Sequence, residues 1–151
     1  MMMPPLVFLG GTAANNPWRK QFVENAKGVP ASVFFDPVVA VWDEEARRRE
    51  EEAKAMASHL VFYIADPRQD GNPLSAYSMV EATMALYDKP LISAVIFDTT
   101  GMGGHPLKAM NQTFRALKAR FPSSYIFATP DEAVAWLVAD IQRRWPDLAI
   151  A

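Results

Sequence analysis

Short apolar runs alternate with longer amphipathic stretches along this chain. The apolar runs cover residues 6–9, 32–36, 60–65, 91–97 and 124–128, and each is followed by a glycine, a proline or a polar residue. Runs of this length are typical of strands that are buried on both faces of a sheet. The stretches between them repeat apolar residues every three or four positions, which is the spacing of a helix with one buried face. The pattern therefore predicts five strands, each followed by a helix.

Residues that begin and end helices sharpen the first two helix predictions. Pro17 suits the first position of the first helix, with Asn16 as its cap, and Gly28 ends that helix. Asp43 is predicted to cap the second helix, which spans residues 44–58. The inner face of this second helix is predicted to carry small or apolar residues, namely Ala46, Ala53, Met56 and Ala57.

The remaining helices follow the third, fourth and fifth strands. The third is predicted to begin within residues 75–78 and to end near residues 88–90, and the fourth to span residues 107–120. A glycine-rich loop, residues 98–106, is predicted to precede the fourth helix. Thr129 caps the last helix, with Pro130 at its first position and Glu132 three residues after the cap.

Strict alternation of strand and helix predicts a parallel sheet with helices on both faces. Right-handed crossovers then favour a three-layer α/β domain of the flavodoxin-like or Rossmann-like type, with a five-stranded parallel sheet in the order 2-1-3-4-5. The 151 residues contain no linker long enough to divide the chain, so a single domain over residues 1–151 is expected. In this order the topological switch point, where the order of the strands reverses, lies between strands 1 and 3. A ligand crevice is therefore expected at the loops 10–16 and 66–78.

Composition and charge exclude several classes of function. The formal net charge is −2, so a nucleic-acid partner is not expected. The absence of cysteine excludes disulfides, thiolate metal sites and a catalytic cysteine, and fits a cytoplasmic protein. The run 6–9 is too short for a signal peptide or a membrane span. The charge run 43–52 alternates in sign, which indicates the solvated face of a helix.

Glu81 is the leading candidate for chemistry. It lies near the start of the helix that follows the third strand, at the predicted crevice, where the helix dipole favours an anionic side chain. It could therefore act as a nucleophile or a general base. The alternative is structural, because Ser78-Met-Val-Glu81 matches a capping box in which the glutamate bonds back to the Ser78 amide.

Loop residues around the same crevice are further candidates. Gly10, Gly11 and Thr12 would form its floor, since two glycines let a ligand approach the backbone closely, although an ordinary turn has the same composition. Asp66 and Asp70 could bind sugar hydroxyls or transfer protons, or could only form turns.

Aromatic side chains and histidines complete the set of candidates. Tyr77 stands one helical turn before Glu81, so its hydroxyl could orient that carboxylate, or its ring could only pack. Trp42 could stack on a base at the crevice edge, or could belong to the core. His59 and His105 show no metal-ligand spacing, so no metal site is expected.

Several short motifs occur in order along the chain, namely Val7-Phe-Leu-Gly-Gly-Thr12, Trp18-Arg19, Phe35-Asp-Pro-Val-Val39 with Trp42, Tyr63-Ile-Ala-Asp66 and Ser78-Met-Val-Glu81-Ala. In their order and spacing, through about residue 95, these motifs resemble the nucleoside 2-deoxyribosyltransferase-like family. The resemblance implies a flavodoxin-like fold, cleavage of N-glycosidic bonds in nucleosides or nucleotides, and a nucleophilic glutamate, here Glu81. It also implies a sugar-binding acidic residue upstream, with Asp70 the nearest candidate and Asp66 the second, and a neighbouring subunit that often completes the pocket.

The substrate stays open between a nucleoside and a nucleotide. The transferases of this family usually have Gly-x-x-Glu-x-Gly around the nucleophile, whereas this chain has Ser78 and Ala82 there. The related monophosphate hydrolases hold phosphate with serines near the helix start, as Ser75 and Ser78 could do here.

We therefore expect a glycosyltransferase or N-glycosidase that acts on a nucleoside or nucleotide through Glu81, without a cofactor, in a homo-oligomer. Two alternatives belong to other classes. One is a non-catalytic nucleotide-binding or interaction module on the same sheet. The other is a structural domain whose partner binds the charged face of the second helix. Dependence of base release on Glu81 distinguishes the enzyme from both.

Overall fold

A single parallel sheet forms the centre of the molecule. The computed structural model describes residues 3–12, 17–65 and 76–148. Within these residues the strands are β1 (Val7–Gly11), β2 (Phe34–Phe35), β3 (His59–Ile64), β4 (Ser93–Phe97) and β5 (Tyr125–Phe127). All pairings are parallel and the strand order is β2-β1-β3-β4-β5. The predicted fold class and strand order are therefore confirmed.

Helices cover both faces of this sheet. They are α1 (Trp18–Asn25), α2 (Glu44–Met56), α3 (Ala76–Asp88), α4 (Gly104–Arg120) and α5 (Pro130–Arg144). Helices α1 and α5 pack on one face, where alternate residues of the central strands meet Trp18, Phe22 and Leu137. Helices α2, α3 and α4 pack on the other face, against Phe8 and Phe62. The period-2 alternation of strand side chains thus divides the core into two layers.

Two helix caps form as the sequence predicts, and one helix start is displaced. The Asp43 carboxylate accepts a hydrogen bond of 2.8 Å from the Ala46 amide at the start of α2. The Thr129 hydroxyl oxygen accepts from the Glu132 amide at the start of α5. Pro17, by contrast, occupies the N-cap position with ψ of 17°, so the prediction of a first helical position is wrong by one residue. Asn16 lies outside the described residues.

Several predicted boundaries are also wrong. A 3-10 turn, Ala31–Val33, takes the place of the first part of the second predicted strand. β4 begins at Ser93, and Leu91 in the preceding turn is 79% exposed. Helix α4 begins at Gly104, three residues early, because a proline is tolerated within the first turn of a helix, where Pro106 lies. Met56, predicted to face inward, is exposed at the edge of the buried face of α2.

Candidate active site

The loop after β1 is bound tightly to the neighbouring strand β3. The Thr12 amide donates to the Tyr63 carbonyl over 2.8 Å, and the Thr12 hydroxyl accepts from the Ala65 amide over 3.1 Å. Gly11 has φ of +108°, and a Cβ atom there would lie 2.1 Å from the Tyr63 carbonyl oxygen. Only glycine allows this close approach of the two strands. This end of β1 is therefore a fixed wall of the crevice.

Arg19 holds the same wall from the α1 side. Its guanidinium donates to the carbonyl oxygens of Leu9, Thr12 and Gly11 at 3.0, 2.8 and 3.3 Å. It also lies over the Trp18 ring at 4.7 Å and pairs with Asp36 at 3.5 Å. Burial lowers the pKa of Arg19 to about 10, which leaves the guanidinium charged at neutral pH. A buried cation thus joins three carbonyls at the carboxyl end of β1.

An open cavity of about 350 Å³ lies beside this wall, at the carboxyl end of β1. Its lining comes from β1, from α1 and α3, from the segment after β2, and from α2. The lining residues are Gly10, Gly11, Arg19, Pro37, Val38, Val39, Trp42, Glu50, Tyr77, Ser78 and Glu81. The cavity is as large as a small-molecule site, and it stands where open parallel sheets bind their ligands.

The Glu81 carboxylate is largely buried and faces this cavity. Its side chain is 12% exposed, and its Oε2 accepts a hydrogen bond of 2.6 Å from the Lys54 ammonium of α2. Ala76 is already helical, so Ser78 lies within the first turn of α3 rather than at the cap position that a capping box requires. The capping-box alternative is therefore not the arrangement observed, and the carboxylate is directed at α2.

Glu50 provides a second carboxyl group on the same cavity. Its Oε1 lies 3.9 Å from the Lys54 ammonium, and its side chain is 18% exposed. Burial raises the pKa of the Glu50 carboxyl; Lys54 opposes this shift and the charge of Glu81 adds to it. Both carboxyl groups are near one nitrogen, so their oxygens are no farther apart than the sum of the two distances to it. In retaining glycosidases the two catalytic carboxyl groups are about 5–5.5 Å apart, a separation that this limit allows.

These neighbours favour the charged form of Lys54. Burial lowers the pKa of Lys54, but the hydrogen bond to Glu81 and the charge of Glu81 raise it by more than burial lowers it, so the net shift is upward. A second cavity of about 280 Å³ is lined by residues of α2, β3 and α3. Lys54, Tyr77 and Glu81 line it together with Leu60 and Phe62. Glu81 therefore lines both cavities, whereas Lys54 lines the second.

The structure brings most of the predicted site residues together. Gly10, Gly11, Trp42, Tyr77, Ser78 and Glu81 line one cavity. Trp42 and Tyr77 are exposed at 57% and 68%, so neither ring belongs to the core. Thr12 is buried and fixes the β1 loop to β3 through its hydrogen bonds. Asp66, Asp70 and Ser75 lie outside the described residues, so their predicted roles stay predictions.

Sequence reasoning missed Glu50, Lys54 and the structural role of Arg19. The charge run that contains Glu50 was interpreted as a solvated face, and most of its members do form exposed ion pairs within α2. Glu50 and Lys54, however, follow Ala46 by four and eight residues, which is the spacing of the buried face. This spacing was the signal that could have found them.

No family model, no curated protein and no solved structure matches the chain. Among the described residues, no group of three His, Asp or Glu side chains is arranged to hold a metal ion. In the same part of the chain, none of the helices has the length and apolar character of a membrane span. The function proposed below therefore depends on the geometry of the cavity and on the motif resemblance.

Proposed function

We propose that the chain is an enzyme that cleaves or transfers the N-glycosidic bond of a nucleoside or nucleotide, with Glu81 as the nucleophile. The observation that supports this most strongly is the pair of carboxyl groups on one cavity. Glu81 is ion-paired with Lys54 at 2.6 Å, while burial raises the pKa of Glu50. A partly buried carboxyl group with a raised pKa, close to an ion-paired carboxylate, is the arrangement expected of a general acid beside a nucleophile.

In the first step a Glu81 oxygen bonds to the anomeric carbon of the sugar. The bond from that carbon to the base nitrogen breaks, and its electron pair leaves with the base. The Glu50 carboxyl donates its proton to the base, so a neutral base departs. The products are a glycosyl ester on Glu81, a free base and an ionised Glu50. The transition state resembles an oxocarbenium ion, as in retaining glycoside hydrolysis.

In the second step the ester is resolved by water or by a second base. The acceptor attacks the anomeric carbon, the bond to the Glu81 oxygen breaks, and the carboxylate is restored. The acceptor gives its proton to Glu50, which returns to its starting form. Water as acceptor gives hydrolysis, and a base as acceptor gives transfer. Asp66 and Asp70 remain the predicted ligands of the sugar hydroxyls.

The rim and floor of the cavity supply groups suited to the rest of such a substrate. Trp42 and Tyr77 are exposed aromatic rings on its lining, and an aromatic face stacks on any base. Gly10 and Gly11 leave the wall without side chains where a sugar could approach the backbone. Ser78 lies in the first turn of α3, where helix amides favour an anion, so a 5′-phosphate is compatible with this end of the cavity.

Assembly and location are part of the same proposal. Helix α3 carries an exposed apolar stripe at spacings of three and four, made of Tyr77, Val80, Met84 and Tyr87. Exposed apolar surface of this kind is typical of subunit contacts, which supports the expected homo-oligomer. A cysteine-free chain also fits a cytoplasmic enzyme of nucleotide metabolism.

The test of this function is base release from a panel of ribo- and 2′-deoxyribonucleosides and their 5′-monophosphates, followed by chromatography. Glu81→Gln is expected to lower the rate with the best substrate roughly 10³-fold or more, because the nucleophile is lost. Mass spectrometry of the quenched wild type is expected to find the peptide containing Glu81 heavier by one glycosyl group. Glu24→Gln, an exposed glutamate of α1, is the control and should keep the wild-type rate.

A separate experiment tests the acid. Glu50→Gln is expected to lower kcat/KM, which reports the first step, by roughly 10²-fold for natural nucleosides, but to spare kcat/KM for a 4-nitrophenyl glycoside whose leaving group needs no proton. Equal loss of kcat/KM with both leaving groups would refute the role of Glu50 as the acid. Base release that is unchanged in Glu81→Gln would refute the function, and nucleotide binding without any turnover would favour the non-catalytic module.

A further inference from the structure

Lys54 is the one cation among the described residues that lies within 4 Å of both cavity carboxyl groups. Its ammonium is 2.6 Å from the Glu81 oxygen and 3.9 Å from the Glu50 oxygen. The first distance is a hydrogen bond and the second is a close charge contact without one. The lysine side chain is only 24% exposed, so solvent screens these contacts less than on an open surface.

The charge of the carboxyl pair stays constant through the proposed steps while its position changes. Before the first step Glu81 is ionised and Glu50 holds the proton. After that step Glu81 is a neutral ester and Glu50 is ionised, because its proton has left with the base. One negative charge therefore moves from one carboxyl group near the Lys54 ammonium to the other, and one cation is enough to balance it at each stage.

We propose that Lys54 is the positioning residue that assigns the two carboxyl groups their roles, holding Glu81 as the anionic nucleophile before glycosyl transfer and stabilising the Glu50 anion afterwards. This inference rests on the proposed function. The unequal distances select Glu81 as the first anion, because the shorter contact favours the charged form more strongly. To form a hydrogen bond with Glu50 in place of Glu81, the ammonium needs to move closer to the Glu50 oxygen by about 1 Å from the present 3.9 Å.

The surroundings of Lys54 suit this role. Its stem runs along the core, with the ammonium 5.9 Å from the centre of the Phe8 ring. The Lys89 ammonium donates to the Lys54 backbone carbonyl over 3.2 Å, which ties this part of α2 to the residue that follows α3. Two hydrogen bonds of Lys54, one through its ammonium and one through its backbone carbonyl, thus connect α2 to α3 and to the residue after it.

The first measurement needs no turnover. The titration of the Lys54 amino group is followed by NMR in the full chain labelled with ¹⁵N-lysine, with Lys54→Arg used for assignment. In Glu81→Gln the Lys54 midpoint is expected to fall by about one pH unit, since the closest anion is removed. In Glu50→Gln the fall is expected to be smaller. A Lys54 midpoint that does not move in Glu81→Gln overturns the inference.

The second measurement is kinetic and uses three lysine variants. Lys54→Met is expected to lower kcat by 10- to 100-fold with KM within about twofold, as expected when a reacting group loses its alignment. The acid limb of its kcat/KM profile is expected to move to higher pH, which a purely structural role would not cause. Lys54→Arg keeps the charge, so it is expected to retain the wild-type acid limb and to recover most of kcat. Lys108→Met, at an exposed lysine of α4, is the control.

The outcomes separate this inference from the function beneath it. Wild-type kcat and pH profile in Lys54→Met, together with Glu81-dependent base release, overturn the role of Lys54 alone. Base release that does not depend on Glu81 overturns both proposals. Urea unfolding of each variant confirms that a loss of rate is measured on folded protein, and Lys54→Arg provides the second test if Lys54→Met does not fold.

Discussion

The Arg19 guanidinium donates a hydrogen bond of 2.8 Å to the carbonyl oxygen of Thr12, seven residues earlier in the chain. The same guanidinium donates to the carbonyls of Leu9 and Gly11, so one planar, forked group satisfies three backbone acceptors at the end of β1. A lysine carries the charge but not the fork. The crevice wall therefore depends on the shape of the arginine as well as on its charge.

Arg19→Lys is expected to lower the free energy of unfolding by about 2 kcal/mol, because buried carbonyls lose charged donors. The measurement is urea unfolding followed by circular dichroism. Lys20→Ala, at the exposed neighbouring position of α1, is expected to stay within about 0.5 kcal/mol of the wild type. Equal stability of Arg19→Lys and the wild type would show that water replaces the fork without loss.

Gly11→Ala is expected to destabilise the protein by at least about 3 kcal/mol. The added Cβ atom would meet the Tyr63 carbonyl at 2.1 Å, and the backbone φ of +108° is strained for any other residue. Gly103→Ala is the matched control, because a Cβ atom there meets nothing within 4 Å. Thermal unfolding of the two variants measures the difference, and a Gly11→Ala protein with the wild-type midpoint would contradict the close approach of β1 and β3.

Stability is expected to fall with pH below about 6.5 because of His59. This fully buried ring lies 2.6 Å from the Asp140 carboxylate and 2.9 Å from the Ser58 hydroxyl. Burial lowers the pKa of His59 from 6.5, and Asp140 offsets this only in part. The unfolded chain therefore takes up a proton before the folded chain does. The stabilisation is complete above pH 6.5 and is lost as the pH falls through the folded-state pKa.

The urea midpoint measured between pH 7 and pH 5 tests this dependence. His59→Asn is expected to be less stable but to lose most of the slope in this interval. His105→Gln, at the exposed histidine of α4, is expected to keep the wild-type slope. A slope that persists in His59→Asn would assign the dependence to other groups.

Trp42→Ala is expected to raise the KM for nucleosides roughly tenfold with little change in kcat, since a stacking face contributes about 1–3 kcal/mol per base. The affinity for free ribose or 2-deoxyribose, which carry no base, should not change. Val41→Ala is the control, because Val41 is 71% exposed next to Trp42. A parallel loss of affinity for the free sugar would mean that Trp42 shapes the cavity rather than binding the base.

Val80→Lys is expected to dissociate the proposed oligomer, because it places a charge in the centre of the exposed stripe of α3. Sedimentation equilibrium at several protein concentrations is the measurement. Leu91→Lys is the control: it substitutes an exposed leucine that follows α3, and the mass of the oligomer is expected to stay as in the wild type. A wild type that sediments as a single chain at about 100 μM would rule out this assembly.

The architecture could be predicted because it depends on local patterns that repeat. Apolar runs and helical spacing recur in each unit, and handedness then leaves few ways to arrange them. Boundaries were less predictable where a local signal competed with the pattern. Leu91 continues an apolar run in the sequence, but the turn before β4 exposes it. Pro106 suggested a loop, although the first turn of a helix accepts it.

The site was predictable only in part, for a related reason. Glu81 and its helix could be placed because the pattern predicts that helix after a central strand. Lys54 and Glu50 come from a different helix, and Lys54 is 27 positions before Glu81, with no pattern in the sequence that pairs them. Their inward spacing was hidden by the charged residues on either side. Contacts between helices depend on the three-dimensional packing, which a local pattern does not encode.

The two outer strands of the sheet are very short. β2 has two residues and β5 has three, and prolines follow both at Pro37 and Pro130. An outer strand exposes unpaired amides and carbonyls that can template the addition of foreign strands, and brevity and proline both prevent this. The long hydrophobic strands β3 and β4 are enclosed between their neighbours. The native fold thus keeps its most aggregation-prone segments from seeding fibrils, and only unfolding would release them.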